Sequence, residues 1–413
     1  MNQEQSEMAL KLRSWVLAPL FLVGVLALLT WANYQFTREN PGGSDFLPAW
    51  AGTRAFLTHE VSPYSQAVKL EVQKRFYGHP AAPDQDVILF VYPFYSLIVF
   101  APFALLSDFS VARGLWMVML EISLVMTALL SLSALRWRPP RFTLATYLVF
   151  SILWYFGLRA VINGNVVILV GLFVTSGFWF MKNEKDFAAG LCFALATIKP
   201  NIVVLLLPFV LWWAYTRRRW QLISSTLGCI GALVLMSCIV FPSWLIENVA
   251  EMLAYSGYPT PTNPSDVFEL WWPNIGYQLG WAMTLLMVVI LFLEWRAAAG
   301  QEYHWFLWTA SLTLIITQWI GITTDPGNFV ILFFPLSLVL TAWGMSEGRV
   351  GMILIIISIV ILFFGLWGLF VATLTKTNQP MQNPVLFFPL PLFLLITMFW
   401  IRGWAIQPSH LST

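Results

Sequence analysis

Long apolar runs recur along nearly the whole chain with almost no charge inside them, and this constrains the fold more than any other feature. Of the 413 residues, 59% are hydrophobic and 10% charged, with a mean hydropathy of +0.74. Soluble domains carry roughly a quarter charged residues, so the sequence reads as an integral membrane protein. About 20 apolar residues cross a bilayer as a helix, and in lipid each backbone polar group must be satisfied within its own segment. The expected fold class is all-α: a polytopic transmembrane helical bundle of about twelve spans. They are expected at about 15–32, 110–135, 142–160, 165–181, 187–198, 201–215, 220–241, 279–295, 304–322, 328–345, 350–373 and 385–401. No internal repeat and no appended soluble domain is evident, so 1–413 is read as a single integral membrane domain. The polar head MNQEQSEMALKLRSW leads into an apolar run with no small-residue cleavage site, and the first run reads as a retained span.

Charge sets the expected orientation. The run 87–106 is apolar enough to cross, yet crossing would divide the basic loops between two sides. If it does not cross, Lys11, Arg13, RWRPPR (136–141), KNEKD (182–186), RRR (217–219), Arg296, Arg349 and Arg402 share one side, as the positive-inside bias requires. Residues 87–106, broken by Pro93 and Pro102, are therefore expected to lie in or dip into the outer face. The outer face then receives 33–109, RAVINGN (159–165), IKPN (198–201), 242–278, TTDPGN (323–328) and TKTNQPMQN (375–383). Only 33–109 and 242–278 are long, and long ordered connections are more often functional than idle. Within the first, 45–58 and 65–77 are predicted as interfacial helices in the headgroup plane. The two short spans meeting at Lys199-Pro200 suggest a cavity edge, where irregular backbone is tolerated.

The net charge of +2 argues against a nucleic-acid partner. Cys192, Cys229 and Cys238 lie in apolar runs without a CxxC and read as small buried hydrophobes.

Few residues in such a chain can do chemistry. Asp45 is an isolated carboxylate behind Gly42-Gly43, at the mouth of the long outer connection. Partial burial would raise its proton affinity toward that of a useful base; alternatively, Ser44 or Asp45 caps the helix that follows. Arg159 and Lys199 are cations on the expected outer side, against the orientation bias. A lipid-linked phosphate would explain them, as would snorkelling to headgroups. Asn163 and Asn165 flank Gly164 and can bind sugar or phosphate, or simply make a turn. Asp325 in TTDPGN is a turn former that would face the same side as Asp45. Asp84 and Asp86 form a DxD-like pair of little weight, the four histidines have no ligand spacing, and neither a metal nor a cofactor is expected. Intramembrane acids are few, Glu121 being the clearest, which argues against proton-coupled transport.

The order of these features resembles a known group. An aspartate shortly after the first span, SPY (62–64), Tyr92-Pro93, APFALLS (101–107), RAVINGNVVIL (159–169) and GLCFALATIKPNIVVLLL (190–207) are similar to the polyprenyl-phosphate-dependent glycosyltransferases of the GT-C superfamily, most closely glycosyltransferase family 87. That family includes bacterial alpha-mannosyltransferases of phosphatidylinositol mannoside synthesis. The resemblance covers about the first 220 residues and implies that Asp45 is the catalytic base and that Lys199 lies near the donor site. Lys199 and Arg159 are then candidates for the donor phosphate, and Arg54, Tyr64, Tyr92, Asn163, Asn165 and Asp325 for substrate contacts. Gly164-Asn165 stands where the family usually has Gly-Gln, and TTDPGN where other members often place a histidine. The expected activity is transfer of one sugar, mannose by the resemblance, from a polyprenyl-phosphate donor to an outward-facing lipid or glycan acceptor. The expected location is the bacterial inner membrane with the site on its periplasmic face, among membrane lipids. The rival reading is a lipid or small-molecule transporter, which would want matching discontinuous helices in two inverted halves; none is evident.

Overall fold

The computed structural model describes residues 3–40, 42–82, 85–255, 263–320, 325–346, 348–374 and 383–407. The fold is all-α, 81% helical, with no strand among the described residues. Seven described helices are long and apolar enough to cross a membrane, from Pro19–Glu39 to Pro384–Ala405, and the bent pair Arg141–Leu153 and Tyr155–Asn163 makes an eighth if counted as one span. The expected count of about twelve is not reached on length, and the reason is local. Val167–Lys182, Asp186–Ala196 and Leu206–Thr216 are apolar but short; the longest of them has 16 residues, about 24 Å at 1.5 Å per residue.

Two breaks interrupt apolar runs. At Trp154 the backbone turns extended (ψ 157) and the helices on either side diverge by 44°. The carbonyl of Leu153 there accepts from the Trp367 indole at 3.0 Å. A second break follows Ala196: Pro200 cannot continue the ladder, and Lys199 sits extended (φ −131, ψ 82) before the short helix Pro200–Val203. The second break carries Lys199, which enters the region described below.

The bundle is built around its later helices. Pro326–Ser346 is 83% buried, whereas Pro19–Glu39, Trp220–Val240 and Gly276–Ala298 are 11%, 17% and 22% buried, so the last three form the lipid-exposed rim. Tyr303–Ile320 is enclosed almost throughout. Phe178, Phe306 and Phe334 knit these central helices together, with ring centroids 5.7 and 4.9 Å apart for Phe178 with each of the other two.

The connection after the first span forms helices Phe46–His59 and Gln66–Tyr77, then, beyond irregular backbone at 85–93, a 3-10 turn and the helix Leu97–Ala104. Ser65 caps Gln66–Tyr77 through the Val68 amide at 3.4 Å, and Gly78 ends it at φ 82. In Phe46–His59 the first two turns, Phe46 to Thr53, are enclosed on every side, and the far end reaches the surface.

Candidate active site

Asp45 is reached through Gly43, whose φ of +79 only glycine adopts readily. A Cβ on Gly43 would meet the Arg113 guanidinium at 2.8 Å. That guanidinium lies buried beneath the turn, donating to the Asn40 carbonyl at 2.8 Å and to the Ile162 carbonyl at 2.8 Å. It thereby staples the turn to the end of Tyr155–Asn163.

The capping alternative for Asp45 is corrected by the local geometry. Asp45 occupies the N-cap place, but its carboxylate makes no capping bond. The Phe46 and Leu47 amides instead reach the Gly43 carbonyl at 3.0 and 2.8 Å, because the tight turn brings that oxygen under the helix start. The Asp45 backbone is held from two other directions. Its N–H donates to the Asn163 carbonyl at 3.1 Å, and its carbonyl accepts from the Tyr92 hydroxyl at 3.4 Å.

Lys199 comes to the same place from the second break. Its Nζ donates to Asn328 Oδ1 at 2.8 Å and to Asn165 Oδ1 at 3.2 Å. The Asn165 amide donates to Asn328 Oδ1 at 3.2 Å and its own oxygen takes the Val167 amide at 3.0 Å. Both asparagines are buried. Neither is charged, so the ammonium is oriented by neutral acceptors and its charge is not cancelled in place. Burial lowers the proton affinity of Lys199, while Asp45 and Asp325 pull it back up. Burial pushes the Asp45 carboxyl up to about 6, against the pull of Lys199 and Arg159 and with a further push from Asp325. Two carboxylates and two cations thus act on one another across four separate segments.

A carboxyl that titrates near neutrality beside an oriented cation can take a proton from a hydroxyl while a departing anion gains charge. Residues 90–323, more than half of the chain, match glycosyltransferase family 87. The chain belongs to that family. It is thus a glycosyltransferase, with a sugar donor and an acceptor, carrying several helices apolar enough to span a membrane. That membership decides against the transporter reading. Among curated proteins and among solved structures nothing matches the chain. In this family 87 glycosyltransferase the matched stretch carries Tyr92, Arg159, Asn163, Asn165 and Lys199, while Asp45, Asp325 and Asn328 lie outside it.

The other expected site residues are distributed unevenly. Asn163 meets the Asp45 amide through its carbonyl. Arg159, one turn earlier, lies over the Phe370 ring with its guanidinium carbon 5.1 Å from the centroid. Asp325 is exposed and opens the helix that begins at Pro326, its Oδ1 accepting from the Gly327 amide at 2.5 Å. Tyr64 donates to the Tyr92 carbonyl at 2.8 Å, so the two tyrosines buttress Asp45 in series. Arg54 donates to the Ala104 carbonyl at 3.1 Å and lies over Trp50 at 5.8 Å, which ties it to the end of Leu97–Ala104. Asp84 lies outside the described residues.

Sequence reasoning missed Asn328 and Arg113. Asn328 ends a loop already singled out for Asp325, and an amide opening an apolar run was its only signal. Arg113 is an arginine five residues past the helix cap Asp108, at the head of an apolar span; a cation in that place warrants a stated partner.

Proposed function

We propose that this glycosyltransferase moves a single sugar, mannose, from a polyprenyl-phosphate donor to a lipid or glycan acceptor on the external face of the bacterial inner membrane. Mannose and the donor class follow from the resemblance to the family's alpha-mannosyltransferases. In this reading 33–109 is the external catalytic loop with juxtamembrane helices, 242–278 is the second external loop, and both belong to one domain with the spans.

Asp45 is the general base. The acceptor hydroxyl gives its proton to the Asp45 carboxylate as its oxygen attacks the anomeric carbon. The bond from that carbon to the phosphate oxygen breaks on the opposite face, and the lipid phosphate leaves with the electron pair. The outcome is inversion. Lys199, with Arg159, stabilises the charge that gathers on the phosphate. Asn163, Asn165, Asp325, Arg54, Tyr64 and Tyr92 are proposed for substrate contacts in and around this cluster. A covalent intermediate would want a paired second acid as nucleophile; Asp325 is exposed and its Oδ1 already caps a helix, which favours direct displacement.

The observation that carries this reading is that Asp45, whose carboxylate makes no capping bond, and the half-buried Lys199 from a distant loop are tied to the same turn, through the Asn163 carbonyl and Asn165 Oδ1. Purified protein incubated with a panel of labelled polyprenyl-phosphate sugars should release lipid phosphate from the mannosyl donor. Asp45→Asn should lower that turnover by about 10²–10⁴-fold while donor binding remains near wild type and the protein stays folded. Near-normal turnover by Asp45→Asn rejects the base role.

A further inference from the structure

The helix Trp244–Tyr255, in the second long connection, is packed the wrong way round for a helix that only covers a core. Ile246 and Leu253 are 78% and 69% exposed, and Leu245 and Val249 are exposed as well, whereas Asn248 is 4% exposed. Its inward stripe is Trp244, Glu247, Asn248 and Glu251, at the i, i+3, i+4 and i+7 spacing of one face. Apolar positions facing outward suit lipid, but burying Asn248 and Glu251 and half-burying Glu247 needs a reason, since each must find a partner.

Ser243, one turn earlier, donates to Glu247 at 2.7 Å; the other partners belong to the first long connection. Glu247 accepts from the Ser62 hydroxyl at 2.5 Å. Glu251 pairs with Lys69 at 2.5 Å. Asn248 donates from Nδ2 to the Val91 carbonyl at 3.1 Å and to the Tyr92 carbonyl at 3.0 Å. Residues 91–93 are irregular backbone, outside any helix, and Pro93 has no N–H to offer, so these carbonyls depend on tertiary donors. The Tyr92 carbonyl also takes the Tyr64 hydroxyl at 2.8 Å, which fills both of its lone pairs. The Tyr92 ring is wedged between Phe90 and Phe100 at 5.6 and 5.4 Å. From there its hydroxyl reaches the Asp45 carbonyl at 3.4 Å. That last bond is at the long end of the hydrogen-bond range, so a small displacement of the 91–92 peptide breaks it.

We propose that Asn248 is a positioning residue for Asp45: its amide fixes the Val91–Tyr92 peptide, and Tyr92 in turn fixes the backbone that aims the Asp45 carboxylate. The helix Trp244–Tyr255 is thereby part of the transfer machinery as well as a cover on its flank. This rests on the reading of Asp45 as the base, and its test is chosen to be independent of turnover.

The test reads the Asp45 carboxyl directly. Dicyclohexylcarbodiimide modifies protonated carboxyls in apolar surroundings, and mass spectrometry of the Asp45 peptide across pH gives the midpoint of its titration. The charged groups that act on that carboxyl are Lys199, Asp325 and Arg159, and none of them is altered. Asn248→Leu keeps the volume of the side chain and removes both donors. Water then reaches the carboxyl, and its proton affinity should weaken by about threefold or more. Tyr92→Phe should do the same, and the double variant should do no more than either alone, because both act through one link. Lys69→Met, which loosens the far end of the same helix, should leave the midpoint in place. If Asn248→Leu does not survive purification, Asn248→Ser, which keeps one donor, decides. An unchanged midpoint in a folded Asn248 variant overturns the proposal. So does an equal shift in Lys69→Met, or additivity in the double variant. Turnover by Asp45→Asn is a separate measurement, so failure of the base reading and failure of the positioning role are told apart.

Discussion

Asp45 holds its proton more tightly in the folded protein than in the unfolded chain, and that single fact sets two pH dependences. Its carboxyl rises to about 6, from an ordinary value near ~4. In the proposed role of base it works only when ionised, so transfer should climb with pH through about 6 and level off above. Because burial lowers the affinity of Lys199, the decline at alkaline pH should begin below the ordinary lysine range. A pH profile of kcat at saturating donor measures both limbs. For stability the sign is that of a carboxyl with a raised folded value: its contribution is present below the unfolded value and lost as pH rises through the folded one. Asp45→Asn should therefore melt higher than wild type above pH 6 and converge with it near pH 4, in detergent melts across that window. Lys199→Met removes the cation that pulls Asp45 down, so the acid limb should move to higher pH and kcat should fall by about 10²–10³-fold. An acid limb that stays in place would separate the two residues.

At the scale of the element, helix ends and breaks deliver these groups, and glycine makes one of the approaches possible. Tyr155–Asn163 ends at Gly164, with φ +74, and a Cβ there would come within 2.5 Å of the Phe46 Cβ, next to Asp45. The Trp116 indole closes the same corner by donating to the Gly164 carbonyl at 2.9 Å, and its ring stacks on Phe46 at 5.0 Å. Gly164→Ala should cost about 1–3 kcal/mol from backbone strain, and it should lower turnover because Phe46 must shift. Unfolding midpoints and donor turnover on the same preparation check this; unchanged values in both would mean that the corner relaxes freely. The break at Trp154 is a second such device. It bends the helix pair by 44° so that the terminal turn carrying Arg159 and Asn163 approaches Asp45 while Arg141–Leu153 keeps its place in the bundle.

On the scale of the whole molecule, central helices carry rigidity and rim helices carry lipid contact, so the cluster of loops is held from below by the most buried part of the protein. Pro326–Ser346 and Tyr303–Ile320 form that base, and Asn328 rises from it to hold Lys199. The basic loops, including RRR (217–219), are expected on the side opposite the cluster. Single cysteines placed in a chain lacking Cys192, Cys229 and Cys238 test this. Lys74→Cys should react with an impermeant maleimide in intact spheroplasts, and Arg218→Cys only after permeabilisation. Labelling of both from outside would reverse or split the assumed orientation.

The all-α membrane class was legible because hydropathy is a local property: backbone groups in lipid must be paired within the segment, and a run of apolar residues therefore carries its own secondary structure. Asp45, Arg159 and Lys199 could be singled out for a related reason, since charge is scarce here and each charge in an apolar setting needs an explanation. The number of spans was less legible, because the breaks at Trp154 and around Lys199 shorten helices whose apolar character is unbroken. Asn328, Arg113 and Asn248 stayed hidden, as an amide or an arginine at the head of a helix looks the same whether it is solvated or joins a network. Sequence by itself therefore determined which residues could be charged, helical or buried. Only the tertiary structure decided that the Gly43 carbonyl, and not the Asp45 carboxylate, caps the helix, and that Lys199 meets Asn165 and Asn328. The physical reason is that hydrogen bonds and desolvation are set by distances of a few ångströms between segments far apart in the chain, and no local pattern encodes those distances.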